Sequence, residues 1–228
     1  MTVDAIEFKN VKFAYPSVSF ELSIKSLALD MRQTTFIRGE NGSGKTTLAR
    51  LMAGILKPQE GEIIIMGTPS FALGLGEIGK RVGYLWQNPR QQLFAKSVIE
   101  ELTFVEELKN PKMTPGEKAA AKEAAMGWLE YFELAQLKDK TCYHLSHGER
   151  QRLALAAVIA SGAKYLVLDE PTAGLDDKRK RALAYLLKKL RLENGTGMSV
   201  ISHDEKFAGE LTERVITLAK GEVSDEQS

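Results

Sequence analysis

The sequence predicts an α/β fold: a mostly parallel sheet with an N-terminal antiparallel β-subdomain and an inserted α-helical subdomain. Three observations carry this. Strand-like apolar runs alternate with helix-like runs over residues 34–54 and 164–218, which implies parallel strands covered by helices. Two earlier runs, Ile6–Phe13 and Phe20–Leu27, alternate apolar and polar residues, as antiparallel strands with one wet face do. Between residues 89 and 158 the helical period takes over. The expected organisation is one domain over 1–228. Residues 1–88 and 159–228 form its core and β-subdomain, and 89–158 form the helical insertion.

The elements follow in order. After the first two strands, turned at Tyr15-Pro16-Ser17, Thr34–Arg38 is β-branched and apolar enough for a buried strand. Thr47–Ala53 reads as a helix ended by Gly54. Glu62–Gly67 and Arg81–Trp86 are further strands, the second stopped by Gln87-Asn88-Pro89. In the insertion, Ser97 caps a helix running through Leu108. Thr114-Pro115-Gly116-Glu117 has the form of a capping box for a second, which lasts to about Phe132. Its Trp128, Leu129 and Phe132 read as core.

Lys164–Leu168 is an apolar strand ending in Asp169-Glu170. After a loop comes a helix from Asp177 to Glu193, with Leu183, Leu186, Leu187 and Leu190 on one face. Lys178, Arg179, Arg181, Lys188 and Arg191 on the other read as a solvated face rather than a nucleic-acid patch. Met198–Ser202 is another core strand, and Glu213–Leu218 with Gly221–Val223 reads as a closing hairpin. The acidic stretch Ser224–Ser228 is expected to fray.

Composition narrows the function classes. A chain of 228 residues with a formal charge of +1 has ample core material and no electrostatic case for nucleic acid or an anionic membrane surface. Its single cysteine, Cys142, excludes an intrachain disulfide and suits a reducing compartment. No apolar run approaches the ~18–20 residues of a membrane span, and Met1-Thr2-Val3-Asp4 does not begin a signal peptide. A membrane role would therefore come through a partner.

Chemistry concentrates at Gly39-Glu40-Asn41-Gly42-Ser43-Gly44-Lys45-Thr46, which has the form G-x-x-x-x-G-K-[ST] between a strand and a helix. Glycines let backbone N–H groups wrap phosphates, and the helix N-terminus adds partial positive charge. Lys45 is expected on the β- and γ-phosphates and Thr46 on Mg²⁺. Carboxylates at the end of a buried strand need a reason to be there. Asp169 fits a Mg²⁺ ligand opposite Thr46, and Glu170 a general base for water. Tyr15 could stack on a base, a contact worth ~1–3 kcal/mol; taken alone it reads more simply as a half-buried strand aromatic. Ser146 would cap a helix whose free N–H groups suit a phosphate.

These residues resemble the ABC ATPase family. Leu145-Ser146-His147-Gly148-Glu149 is similar to its L-S-G-G-Q signature. The loop at 39–46, Gln87, Asp169-Glu170, Ala173-Gly174-Leu175-Asp176 and His203 follow in the family's order, covering residues 3–223. The resemblance implies a P-loop NTPase that binds and hydrolyses ATP with Mg²⁺ in a head-to-tail dimer. Tyr15 would stack on adenine, Gly39 to Thr47 would hold the phosphates, and Gln87 would sit by Mg²⁺ and the attacking water. His203 would contact the γ-phosphate. Ser146, His147, Gly148, Glu149 and Asp176 would act across the interface on the other subunit's ATP. His147 and Glu149 depart from the signature. Function is expected to survive, with His147 pointing away from phosphate; the alternative is altered ATP affinity or pH dependence from the added imidazole.

Within the family, Gln87-Asn88-Pro89-Arg90-Gln91-Gln92-Leu93-Phe94 resembles the Q-N-P-x-x-Q-[apolar]-F pattern of energy-coupling factor ATPases, the motors of micronutrient importers for vitamins, cobalt or nickel. The resemblance implies that Gln92 and Phe94 line the groove receiving a transmembrane partner's coupling helix, placing the chain peripherally at the cytoplasmic face of the membrane. The pairing would be with itself or a paralogue. Many such ATPases carry a C-terminal dimerisation extension, so dimerisation here is expected to depend more on membrane partners. A soluble ABC ATPase acting on nucleic acid or ribosomes would usually carry a coiled-coil insertion or a second cassette. A module that binds ATP without hydrolysing it would not need Lys45, Asp169, Glu170 and His203 together.

Overall fold

The computed structural model describes residues 4–16 and 20–226, so Ser17 of the expected turn and the last two residues lie outside the description. The chain divides into two compact units, one running to Tyr84 and resuming at Ala163, the other Leu85–Gly162. The first holds β1 (Asp4–Ala14), β2 (Glu21–Asp30), β3 (Thr34–Arg38), α1 (Lys45–Met52), β4 (Glu60–Ile65), β5 (Thr68–Pro69), α2 (Leu75–Arg81) and β6 (Val82–Leu85, whose last residue begins the other unit). The second holds α3 (Val98–Lys109), α4 (Pro115–Tyr131) and α5 (His147–Ala160). The first unit resumes with β7 (Tyr165–Asp169), α6 (Asp177–Asn194), β8 (Gly197–Ile201), α7 (Glu205–Leu211), β9 (Arg214–Ala219) and β10 (Glu222–Glu226).

The strands form one mixed sheet in the order β5-β4-β1-β2-β10-β9-β3-β8-β7-β6. β3, β7 and β8 are parallel and buried almost throughout, which is why they read as continuous apolar runs. Phe36 stands between Val200 and Val215 on its two neighbours. At the other edge Phe8 stands between Leu27 and Ile63 in antiparallel pairs. The expected antiparallel subdomain is thus an edge of the same sheet. β10 joins the halves, antiparallel to β9 and parallel to β2 at Glu222↔Ser23. For Ser224–Glu226 this corrects the expectation of fraying: Asp225 pairs with Ile216 and Glu226 with Val215, because β9 offers an open ladder there.

Other local departures have physical causes. Asn10 adopts a φ of 50°, and the β1–β4 register shifts between Lys9 and Lys12. Gly61 faces this bulge; a Cβ there would lie 2.2 Å from the Asn10 carbonyl oxygen. The strand expected to reach Gly67 ends at Ile65, since Met66 and Gly67 turn with positive φ. α2 was not expected, because Gly76 and Gly79 are poor helix formers. It is held by burying Ile78, whose Cδ1 lies 2.4 Å from where a Cβ of Gly54 would stand. The short α7 was also not expected; Asp204 caps it by accepting from Phe207 N at 3.0 Å. On α6 Leu183, Leu186 and Leu187 are buried as expected and Leu190 is half-buried, while on the other face Arg179 pairs with Asp176 and Arg191 with Glu213.

In the helical unit three caps fall at the expected residues. Ser97 Oγ accepts from Glu100 N, and Thr114 and Ser146 form capping boxes with Glu117 and Glu149. Leu129 and Phe132 are buried; Trp128 is half-buried against Phe132, their ring centres 6.5 Å apart.

Candidate active site

The parallel strands end together at their carboxyl side, where open α/β sheets bind ligands. The loop after β3 passes too close to its neighbours for side chains. A Cβ on Gly39 would stand 2.2 Å from the Leu218 carbonyl oxygen, and one on Gly44 2.6 Å from the Phe20 ring, with Gly44 at φ 107°. Lys45 is almost buried, and its Nζ donates to the carbonyls of Gly39 (2.7 Å) and Glu40 (2.8 Å), which curl the loop around its ammonium. Ser43 Oγ is buried without a hydrogen-bond partner. A buried hydroxyl without an acceptor is costly, so this loop suits an oxygen-rich anion.

Thr46, the second residue of α1, donates through Oγ1 to Asp169 Oδ2 at 2.9 Å. Asp169 ends β7 and is 2% exposed. Burial pushes its carboxyl above the ordinary range, opposed by the Thr46 hydrogen bond and the charges of Lys45 and Arg50. Tyr15 stacks edge-on against Phe13 with ring centres 4.9 Å apart, and its hydroxyl lies 3.5 Å from Thr47 Oγ1. Tyr15, the 39–47 loop and Asp169 thus gather on one unit.

Glu170 turns sharply out of β7 with a φ of 53°, so its carboxylate diverges from that of Asp169. It accepts from Ser202 Oγ at 3.2 Å and from His203 N at 3.4 Å, and His203 Nε2 stands 3.6 Å from its other oxygen. His203 is exposed, beside a depression of about 440 Å³ lined by Gly39, Glu40, Asn41, Ser202 and Glu205. Ser202 was missed by sequence reasoning; its only signal was its place just before His203. Asp176 caps α6, accepting from Arg179 N at 2.9 Å.

The remaining expected site residues lie in the helical unit. Ser146 Oγ accepts from Glu149 N at 3.3 Å, and Glu149 Oε2 accepts from Ser146 N at 2.6 Å. That backbone bond holds the Glu149 carboxyl below its usual range. The acid at 149 thus performs the capping that a glutamine would also perform. His147 is exposed at the first position of α5, with Gly148 next to it half-buried. Gln87 is exposed. Gln92 Oε1 accepts from Trp86 N at 3.0 Å, and Phe94 is 56% exposed with its ring edge-on to Phe104. The backbone N–H groups of Phe94 and Ala95 both donate to Glu101 Oε2, a buried carboxylate that sequence reasoning did not single out.

The sequence matches the ABC transporter family over residues 22–173, well over half of the chain. It belongs to that family. This ABC protein binds ATP and hydrolyses it. It is 36% identical to a Pyrococcus furiosus protein provisionally described as an ABC transporter ATP-binding protein, the match covering 96% of this chain and 81% of the relative. Among solved structures it is similar to a dimeric ATP-binding cassette in a post-hydrolysis state bound to ADP and Pi, with TM-score 0.85, 28% identity, and 97% and 98% of the two chains covered. It is also similar to cbiO1 of Clostridium perfringens, part of the ABC transporter complex cbiONQ, with TM-score 0.76, 27% identity, and 97% and 87% covered.

The donor set of this ABC ATPase suits Mg²⁺. One hydroxyl and one carboxylate, Thr46 and Asp169, meet beside the phosphate loop. Among the described residues no cluster of three His, Cys, Asp or Glu could hold a metal alone. Mg²⁺ is usually held by one or two protein oxygens together with substrate phosphates and water. No helix among the described residues is long and apolar enough to cross a membrane.

Proposed function

We propose that this ABC ATPase is the motor subunit of an energy-coupling factor importer for a vitamin or a transition-metal ion. The observation that carries this reading is the Gln87–Phe94 segment, whose pattern ends on an exposed phenylalanine braced by Phe104. Similarity to cbiO1, part of a transporter complex, supports it. In this reading a helix of the transmembrane partner lies against Phe94 at the cytoplasmic face of the membrane. Gln92 keeps the segment in shape through Trp86 N. No nucleic acid is involved.

Two such subunits, identical or paralogous, meet head to tail. Tyr15 stacks on adenine, and Gly39, Glu40, Asn41, Gly42, Ser43, Gly44 and Thr47 form the phosphate cradle around Lys45. Thr46 and Asp169 would hold Mg²⁺, which would offset charge on the phosphate oxygens, and Gln87 is the further ligand the family resemblance implies. Ser146, His147, Gly148, Glu149 and Asp176 close over the ATP of the opposite subunit. Glu170 takes a proton from water as it attacks the γ-phosphorus, ADP leaves, and His203 steadies the phosphoryl oxygens. Positioning and charge carry the step, with no covalent intermediate. ATP binding closes the dimer and draws the helical units together; phosphate release reopens it.

In the assembled complex, Glu170→Gln should bind ATP while steady-state hydrolysis collapses; near-normal turnover would remove Glu170 from the role of base. Phe94→Asp should release the ATPase from its membrane partner with nucleotide binding intact. Unchanged co-purification would sink the docking assignment and leave another ABC transporter type.

A further inference from the structure

We propose that the Lys180–Asp204 ion pair is a positioning device for ATP hydrolysis, locking the start of α6 to the segment that presents Glu170 and His203. The inference rests on the proposed roles of those two residues. Lys180 Nζ meets Asp204 Oδ2 at 2.7 Å. At the α6 end, Lys180 N donates to the Asp176 carbonyl at 2.9 Å, so the lysine sits one turn below the helix cap. At the other end Asp204 makes two further bonds and reaches Glu170 through Ser202. Its Oδ1 accepts from Phe207 N at 3.0 Å, its own N donates to Ser202 Oγ at 3.1 Å, and Ser202 Oγ donates to Glu170 Oε2 at 3.2 Å. Between them His203 N points at the same Glu170 oxygen. The route from Asp176 to Glu170 is therefore a continuous run of hydrogen bonds closed by a single ion pair.

The backbone conformation of Glu170 gives such a clamp a task. Glu170 holds a left-handed φ that glutamate does not favour on its own, and such residues persist where their surroundings over-determine them. Asp204 is held below the usual carboxylate range, by the Lys180 hydrogen bond first and by the Phe207 N–H next. With side chains 31% and 21% exposed, the pair contributes little to global stability. Its effect is instead on where Glu170 and His203 stand, and sub-ångström misplacement of such groups is expensive in rate.

The test compares wild type, Lys180→Ala, Lys180→Arg, Asp204→Asn and Glu170→Gln in the assembled transporter, measuring ATPase kcat and KM and thermal stability. Lys180→Ala should lower kcat about tenfold with KM and Tm nearly unchanged. Asp204→Asn keeps an oxygen for the helix cap but loses the charge, and should match it. Lys180→Arg should restore most of the rate. An unchanged kcat in Lys180→Ala while Glu170→Gln is inactive overturns the positioning role alone. So does a kcat loss that Arg does not restore, or one accompanied by a matching fall in Tm. Wild-type turnover by Glu170→Gln overturns the reading of Glu170 and this inference with it.

Discussion

Thr46 Oγ1 donates a hydrogen bond to Asp169 Oδ2, tying the first turn of the helix after the phosphate loop to the end of a strand far away in sequence. The bond pre-forms the oxygen pair at which Mg²⁺ is expected. Thr46→Ala leaves a buried carboxylate without that donor and should cost about 1–3 kcal/mol, read by chemical denaturation. Asp169→Asn should abolish Mg²⁺-dependent turnover, and chelation of Mg²⁺ should do the same to the wild type while leaving its denaturation midpoint without nucleotide unchanged.

Ser202 donates to Glu170 from a buried position. Ser202→Ala should lower kcat by about fivefold while ATP affinity, measured by equilibrium titration, stays within twofold, since one orienting hydrogen bond is worth roughly 1 kcal/mol. An equal loss of affinity would place Ser202 in binding rather than orientation.

Glu101 gives a pH signature. Burial raises its carboxyl above the ordinary value, against the two backbone N–H groups that lower it. A raised folded-state value means the folded chain holds this proton more tightly than the unfolded one. Its ionisation therefore costs no stability below the ordinary carboxylate range, and the cost grows as pH rises through the raised value. Glu101→Gln removes that dependence. The stability of the wild type relative to this variant should fall between mildly acidic and neutral pH; a flat difference would exclude the assignment.

Gly61 offers a test free of the site. A Cβ there would collide with the backbone of Asn10, which cannot move as a side-chain end could, and Gly61 itself sits at φ 79°. Gly61→Ala should destabilise by at least about 1–3 kcal/mol, with ATP affinity unchanged in whatever fraction remains folded.

At the signature helix, Ser146→Ala should cost about 1 kcal/mol through loss of the cap. Glu149→Gln should leave stability within about 0.5 kcal/mol, because both side chains complete the capping box. Paired thermal melts distinguish them.

Much of this architecture was legible because its signals are local. The phosphate loop needs glycines where a Cβ would strike backbone or ring, and the buried strands β3, β7 and β8 need near-continuous apolar runs. The caps at Ser97, Thr114 and Ser146 are set by neighbours three residues away. The residues missed were those whose role is set by partners distant in sequence. Glu101 looks like one acid among several at a helix start until its burial is known, and Lys180 looks like any lysine on a charged helix until Asp204 is found beside it. α2 escaped because its glycines argue against helix and only the packing of Ile78 overrides them. The single mixed sheet escaped because one pairing, Glu222 with Ser23, decides it.

That pairing has a temporal consequence. Gly221, next to it, donates its N–H to the Ser43 carbonyl in the phosphate loop and accepts at its own carbonyl from Ser23. The loop is made from residues synthesised early, yet one of its braces arrives only with the β9–β10 hairpin. Closing so long a stretch of chain is slow and entropically unfavourable. A growing polypeptide on the ribosome therefore carries the motif long before it carries a finished cradle, and competence to grip ATP arrives late, with the completed sheet.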